Sequence, residues 1–438
     1  MSVAVGERRA APARAHPARA SKALAAVFGL ALAALTAKLV VDATLGHRPL
    51  VPTSPAIAGW LRPLGRRLDY QDFLILLLLS SGAYAGILVF AGSVQRRAAL
   101  ILIGALHAIV FIGPILLSTD VFSYIAYARM GVEHGVNPYL HGPSAIAHDP
   151  VYRFVGTDWR HTLTAYGPLY TLLSYPLAPL GVRGALWGMK IEALLASAAT
   201  LALTWRCARA RELDPVKALL AVGTNPLYVI YAVGGAHNDL IMLAAMMGAV
   251  SLSFRGRDAA AGATVVAGAL VKVTVAVLLP FMALARRFSR DLLLGALVAF
   301  ALGAVAAVAV FGVHGIDLFA ALNRDAAFVS SDSFPNEIAH LFGKPGVFPV
   351  DHDLLKAALA VIVINLLWRT WRGYDWVAAS GWTLLAISVT STWLLAWYIL
   401  WPLPLAVIAR DRRLLVATLA VQAMFIVHQI APLLAPVS

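Results

Sequence analysis

Three short polar stretches interrupt an otherwise apolar chain, and each carries side chains able to move protons or hold charge. Asp120 directly follows an apolar run in FIGPILLSTDVFSYIAYARMGVEHGVNPY. Burial at such a boundary disfavours the ionised carboxylate, raising its pKa toward the range of a working general base. The same residue also suits an N-cap, since Ser118-Thr119-Asp120 opens a helical pattern. The second stretch is Gly235-Ala236-His237-Asn238-Asp239, a turn between two apolar runs. It offers imidazole, amide and carboxylate groups to hydroxyls or a phosphate; otherwise it is a polar turn in which Asp239 caps the next helix. The third is Lys272 in GALVKVTVAVLLPFMAL. An ammonium at membrane depth is costly and marks either a bound anion, here a phosphate, or a charge pair, with Glu192 as the expected partner.

Further binding candidates are Arg129, Asn137, Tyr139, Arg160, Tyr166 and Tyr398, although Tyr near an apolar run also serves as an interfacial belt. Lys190 and Glu192 are expected to face the interior of a helix bundle. His134, His141 and His148 recur every seven residues, but Asn137-Pro138 breaks any helix that would align them. No metal site is expected. No Walker sequence, HExxH or GxSxG is present.

The elements that must position these residues follow from composition. Of 438 residues, 60% are apolar and only 13% charged, and the mean hydropathy is +0.78. A soluble domain carries about 25% charged residues, so a water-soluble enzyme and a disordered chain are excluded. The composition requires a bilayer. Residues 1–22 read as a disordered, basic cytosolic tail, and 23–438 as a single membrane domain. The apolar run at 23–46 is too long for a signal-peptide core and reads as a retained first helix.

Further spans are expected near 71–92, 98–118, 184–205, 216–234, 238–254, 292–313, 354–371, 376–392, 397–409 and 414–432. The fold expected is therefore all-α and polytopic, with about eleven full transmembrane helices. With the N-terminus cytosolic, most of the 35 Lys and Arg fall on the cytosolic side. The net charge of +13 is then topology rather than a nucleic-acid footprint. Residues 259–285 lie between two basic clusters and must return to the same side; a short broken-helix hairpin folded near Lys272 does so. Long external loops are expected at 119–183 and 314–353, the first with juxtamembrane amphipathic stretches at 121–136 and 167–181. The single cysteine, Cys207, is expected at a cytosolic helix end and cannot form an internal disulfide.

Together these stretches resemble the GT-C superfamily of polytopic glycosyltransferases. Within it they are most similar to the actinobacterial polyprenol-phosphate-mannose-dependent α-1,6-mannosyltransferases. The resemblance is carried by TDVFSYIAYARMGVEHGVNPY (119–139), AYGPLY (165–170), NPLYVIYAVGGAHNDLIML (225–243), GALVKVTVAVLLPFMAL (268–284) and TWLLAWYILWPLPLA (392–406). It implies an active site on the extracytoplasmic side of the plasma membrane, with Asp120 at the position of the catalytic base. It also implies a polyprenyl-phosphate sugar as donor, a glycan or glycolipid acceptor of the cell envelope, and no cofactor. Many relatives carry an acidic pair early in the chain, whereas here Thr119 precedes Asp120. The second carboxylate is thus unassigned, with Glu133 and Asp239 as candidates.

The chemistry suits the residues. A polyprenyl phosphate is already an anionic leaving group and needs charge stabilisation rather than a strong acid, and a base must take the acceptor proton. One displacement inverts the anomeric centre, so a β-linked donor gives an α-glycoside. Mannose rests on the resemblance. The alternative from another class is a lipid-linked glycan flippase or transporter, in which the same charges would line a path through the bundle.

Overall fold

The computed structural model describes residues 17–316 and 328–434. Among these residues every regular element is helical. Helix α1, Pro17–Ala43, begins within the stretch read as tail; residues 1–16 lie outside the described ones. Helix α2, Tyr70–Val89, starts at Asp69, whose carboxylate accepts the Asp72 N–H at 2.8 Å. Helices α3, Arg96–Ile112, and α4, Asp120–His134, flank the non-helical segment 113–119. Pro168 opens α5, Pro168–Ser174, which continues through a 3-10 turn into α6, Gly181–Ala210. Then follow α7, Pro215–Gly223, and α8, Asp239–Phe254. Next come α9, Asp258–Ala269, α10, Leu278–Ala285, and α11, Arg290–Phe311. The remaining helices are α12, Phe334–Leu341, α13, Pro349–Trp371, α14, Trp376–Thr390, the short α15, Leu403–Ala406, and α16, Arg412–Leu434. Of the expected loop 314–353, residues 317–327 lie outside the described ones.

Among the described residues, four helical units are long and apolar enough to cross a bilayer: Arg19–Ala43, Tyr70–Val89, Pro168–Ala210 and Arg290–Phe311. A fifth arises if the bent pair Pro215–Gly223 and Leu227–Val233 counts as one span. With the composition, this makes the chain an integral membrane protein. The expected runs of near-uniform spans are broken up. The run at 98–118 stops helically at Ile112, before Gly113-Pro114. The run at 397–409 divides into a 3-10 turn, Tyr398–Leu400, and the four-residue α15, with Pro402 and Pro404 in between and within. Hydropathy measures side-chain transfer into lipid and does not register where proline ends the helix.

Burial is uneven. Every residue from 218 to 240 is buried. By contrast α11 exposes Leu294, Leu297, Phe300, Leu302 and Val305, the surface of a helix whose solvent is lipid. Helix α4 is buried on all sides rather than on the one face that an amphipathic pattern would suggest. Val121 through Ala128 are all buried, because α5 and its continuation pack over the side that would otherwise meet lipid. The folded-back hairpin is present: α9 and α10 are short arms broken at Leu270–Lys272 and a 3-10 turn, Val273–Val277.

Candidate active site

The segment carrying Asp120 is fastened at both ends. The last carbonyls of α3 have no partners within the helix. Lys190, 2% exposed, supplies one: its Nζ donates to the Val110 carbonyl at 3.3 Å and the Gly113 carbonyl at 2.6 Å. The chain then leaves the helix, with the Leu116 N–H donating to Gly234 O at 3.2 Å and the Leu117 N–H to Leu50 O at 2.8 Å. Leu117 adopts φ 64°, a left-handed conformation that costs a residue with a branched side chain about 1–2 kcal/mol. Thr119 is the N-cap of α4 and makes no side-chain cap bond, and Asp120 is the first helical residue. The capping alternative for Asp120 therefore does not describe it. Its N–H donates to Ser118 Oγ at 3.0 Å, and its carboxylate turns to the neighbouring turn instead.

That turn is delivered by a broken helix. Helix α7 ends at Gly223, Asn225-Pro226 bends the path by 54°, and Leu227–Val233 continues with π-helical bonding. Gly234 N–H donates to Val229 O and His237 N–H to Ala232 O, both at 3.0 Å, so the coil is one residue wider than an α-helix. Ala236 closes it at φ 51°. The wide turn brings His237 Nδ1 to 3.6 Å from Asp120 Oδ2. Asn238 sits beside it, its Oδ1 accepting from the Tyr124 hydroxyl at 3.4 Å.

Lys272 is positioned through main chain. Gly167 and Leu169, in the AYGPLY stretch, donate their N–H groups to Val271 O at 3.1 Å and Leu270 O at 3.0 Å, tying the hairpin tip to the loop before α5. A Cβ at residue 167 would collide with the Leu270 carbonyl, so glycine is required by this close approach. Lys272 Nζ then lies 2.8 Å from Asp239 Oδ1, which also accepts from Trp401 Nε1 at 2.6 Å. The ammonium stands over two aromatic faces, Tyr398 at 4.5 Å and Trp401 at 5.1 Å, an attraction between cation and ring quadrupole. Trp397 stacks on His237 with ring centroids 3.6 Å apart.

Exposure divides the cluster into layers. The His237 and Asp239 side chains are 0% and 2% exposed, whereas Asp120 and Lys272 are each 15% exposed. Asp120 lies outside the spans, and burial, reinforced by the Asp239 charge, pushes its carboxyl up to about 6 against the opposing pull of Ser118 and Lys272. Burial, with Lys272 nearby, holds His237 well below its usual value, so the imidazole is neutral. Both ring nitrogens of His237, Asn238 Nδ2, Asp239 Oδ2 and Ser123 Oγ are buried without hydrogen-bond partners. Such unsatisfied atoms are uncommon inside proteins, and four of the ten among the described residues fall on the three consecutive residues His237, Asn238 and Asp239, a concentration expected where a polar ligand completes the bonding. A poised base, an ammonium and several unused polar atoms can together deprotonate a hydroxyl and stabilise a departing anion.

The structure thus brings together Asp120, His237, Asn238, Asp239, Lys272 and Tyr398. Tyr166 lies one layer out, its ring edge-to-face with Tyr124 at 4.8 Å, and Tyr139 donates to the Tyr166 carbonyl at 2.9 Å. The other candidates serve elsewhere. Arg129 is bound to Asp149 at 2.9 Å and to the Ala178 carbonyl, and His134 shares the same carboxylate. Asn137 donates to Phe311 O at 2.7 Å, and Arg160 lies over the Tyr152 ring at 4.7 Å. Glu133 is exposed, so the carboxylate beside Asp120 is Asp239. The partner of Lys272 is Asp239, not Glu192: 33 residues of chain separate the pair, and the hairpin fold closes that distance. Asp239 is the first residue of α8 after the N-cap Asn238, which has no side-chain cap bond, so the turn is no ordinary cap. Trp397 and Trp401 were missed. Their signal was the four-residue spacing that puts both on one side of a helical turn with Tyr398.

Known proteins match along the same stretches. Residues 73–287 match the family model described as Alpha-(1->6)-mannopyranosyltransferase, N-terminal domain, and residues 352–432 match MptB C-terminal domain. Alpha-(1->6)-mannopyranosyltransferase A of Mycobacterium tuberculosis is 26% identical over 345 residues, covering 70% of this chain and 66% of the relative. Its namesake from Corynebacterium glutamicum is 28% identical over 177 residues, 40% of this chain and 36% of the relative. Alpha-(1->6)-mannopyranosyltransferase B of the same organism is 28% identical over 207 residues, 42% of this chain and 34% of the relative. The matches therefore span less than two thirds of these relatives' own lengths. No solved structure matches. The first family model takes in Asp120, the His237–Asp239 turn and Lys272, the second the Trp397–Trp401 wall, and the chain belongs to the actinobacterial alpha-(1->6)-mannopyranosyltransferase family.

Proposed function

We propose that this chain transfers mannose from a polyprenyl-phosphate mannose to a glycan or glycolipid acceptor of the cell envelope, with inversion, on the extracytoplasmic side of the plasma membrane. The observation that carries this reading is the meeting of a base-ready Asp120, Lys272 and several unpartnered buried polar atoms in one partly exposed cluster. The acceptor hydroxyl gives its proton to Asp120 as its oxygen bonds to the anomeric carbon. The bond from that carbon to the phosphate oxygen breaks, and polyprenyl phosphate leaves with the electron pair. Lys272 meets the charge that grows on the departing oxygen, and a neutral His237 with Asn238 can bond the sugar hydroxyls. The reaction needs no resident cofactor or metal.

Purified chain in liposomes, given labelled polyprenyl-phosphate mannose and a mannan acceptor, tests this. Transfer is expected from the wild type, and Asp120→Asn is expected to bind donor but to transfer about 10³-fold more slowly. Full transfer by Asp120→Asn removes Asp120 as base. Wild-type movement of label across the bilayer without transfer replaces the reading by a transporter.

A further inference from the structure

A groove lies toward the end of α3 that is remote from the Asp120 segment. Helices α3 and α6 run antiparallel: Lys190 meets the end of α3 at Gly113, and Arg206 lies beside its start. Between them runs a groove of about 560 Å³, lined among others by Arg96, Gly104, His107, Phe111, Trp205 and Arg206. From Arg96 to Phe111 it extends about 22 Å at 1.5 Å per residue. Half of a bilayer with its headgroups is about 20–22 Å thick, so one lipid molecule matches the groove end to end.

The chemistry along the groove is graded. Its polar floor group is already satisfied, since His107 bonds to Ser197 Oγ and the Ile103 carbonyl, each at 2.8 Å. What remains inside is hydrocarbon. At the mouth Arg96 and Arg206 are exposed, and among the described residues no carboxylate pairs with either. Arg211, at the end of α6 itself, and Arg286, at the end of α10, are by contrast bound to Asp375 at 2.8 Å and Asp258 at 2.9 Å. Arg96 is held by the Trp205 ring at 5.0 Å, which orients the cation without neutralising it. A second copy docked by two-fold symmetry on this face would oppose arginine to arginine.

We propose that this groove is a binding site for one anionic phospholipid, its acyl chain between α3 and α6 and its phosphate on Arg96 and Arg206. The site is separate from the Asp120 cluster and does not depend on the transfer reaction. The test uses full-length protein in nanodiscs of phosphatidylcholine doped with phosphatidylglycerol, with retained lipid counted by native mass spectrometry. Wild type is expected to retain phosphatidylglycerol in preference to phosphatidylcholine. The Arg96→Gln/Arg206→Gln double variant should lose that preference about tenfold. Gly104→Leu, at a position where a Cβ meets nothing within 4 Å, should fill the groove and expel either lipid; it decides alone if the double variant fails to fold. Equal retention of both lipids by wild type overturns the site, as does unchanged retention in the folded variants. Displacement of phosphatidylglycerol by polyprenyl phosphate overturns it too, making the groove a substrate route.

Discussion

Lys190 and Lys272 are the same chemical group placed in the apolar bulk of one molecule, and their surroundings differ in kind. Lys190 is sealed among helices and bonded to backbone carbonyls, where its charge meets the dipole at the end of α3. Lys272 is bonded to a carboxylate, stands over aromatic faces and is 15% exposed. A cation satisfied by backbone dipoles holds a chain in place. A cation held by a carboxylate and left partly exposed can exchange partners and meet an incoming anion. The difference separates scaffold from chemistry more sharply than burial does, because both groups are largely enclosed.

The largest effect is expected at the base that faces the second of these lysines. Asp120→Asn keeps the volume and removes the proton acceptor, so transfer should fall by about 10³-fold with an unchanged melting temperature in detergent. Exchanging the lysines for methionine tests the contrast itself. Lys272→Met should lower turnover about 10²-fold, whereas Lys190→Met should cost about 1–3 kcal/mol of stability and leave turnover per folded molecule near wild type. Reversed outcomes, with Lys190→Met catalytically dead and well folded, would break the comparison.

A smaller loss, of about tenfold or more in turnover, is expected from Gly167→Ala, which pushes the hairpin tip off its main-chain partners and displaces the Lys272 ammonium. The smallest effect is the pH profile. Asp120 must be ionised to accept a proton, and its carboxyl sits at about 6, so the rate should rise through that pH. Near pH 5 it should be about a tenth of its plateau. Lys272 pulls that value down, so the acid limb should move to higher pH in Lys272→Met. A limb that stays in place would separate the two residues.

Much of the site could be read before the fold, one stretch at a time. Asp120, the His237–Asp239 turn and Lys272 stand out because each is a polar interruption whose cost in an apolar chain demands an explanation. The hairpin near Lys272 was likewise legible, from the count of crossings. The meeting of these stretches was not. The Lys272–Asp239 pair depends on how a hairpin folds back, and apolar side chains of similar hydropathy carry no register that fixes it. Arg129 was misplaced for the same reason: its partner Asp149 lies 20 residues away in a loop without periodic pattern. The ends of the helices were not legible because hydropathy sees solvent preference, while Gly113-Pro114 and Pro402 decide where the coil stops.

The stitch between Gly167–Leu169 and Leu270–Val271 is made of peptide groups alone. Side chains on either strand of that seam can change without loosening it, provided residue 167 stays bare. The hairpin tip can therefore hold its ammonium in register while the side chains around it drift toward other sugars or other lipid carriers.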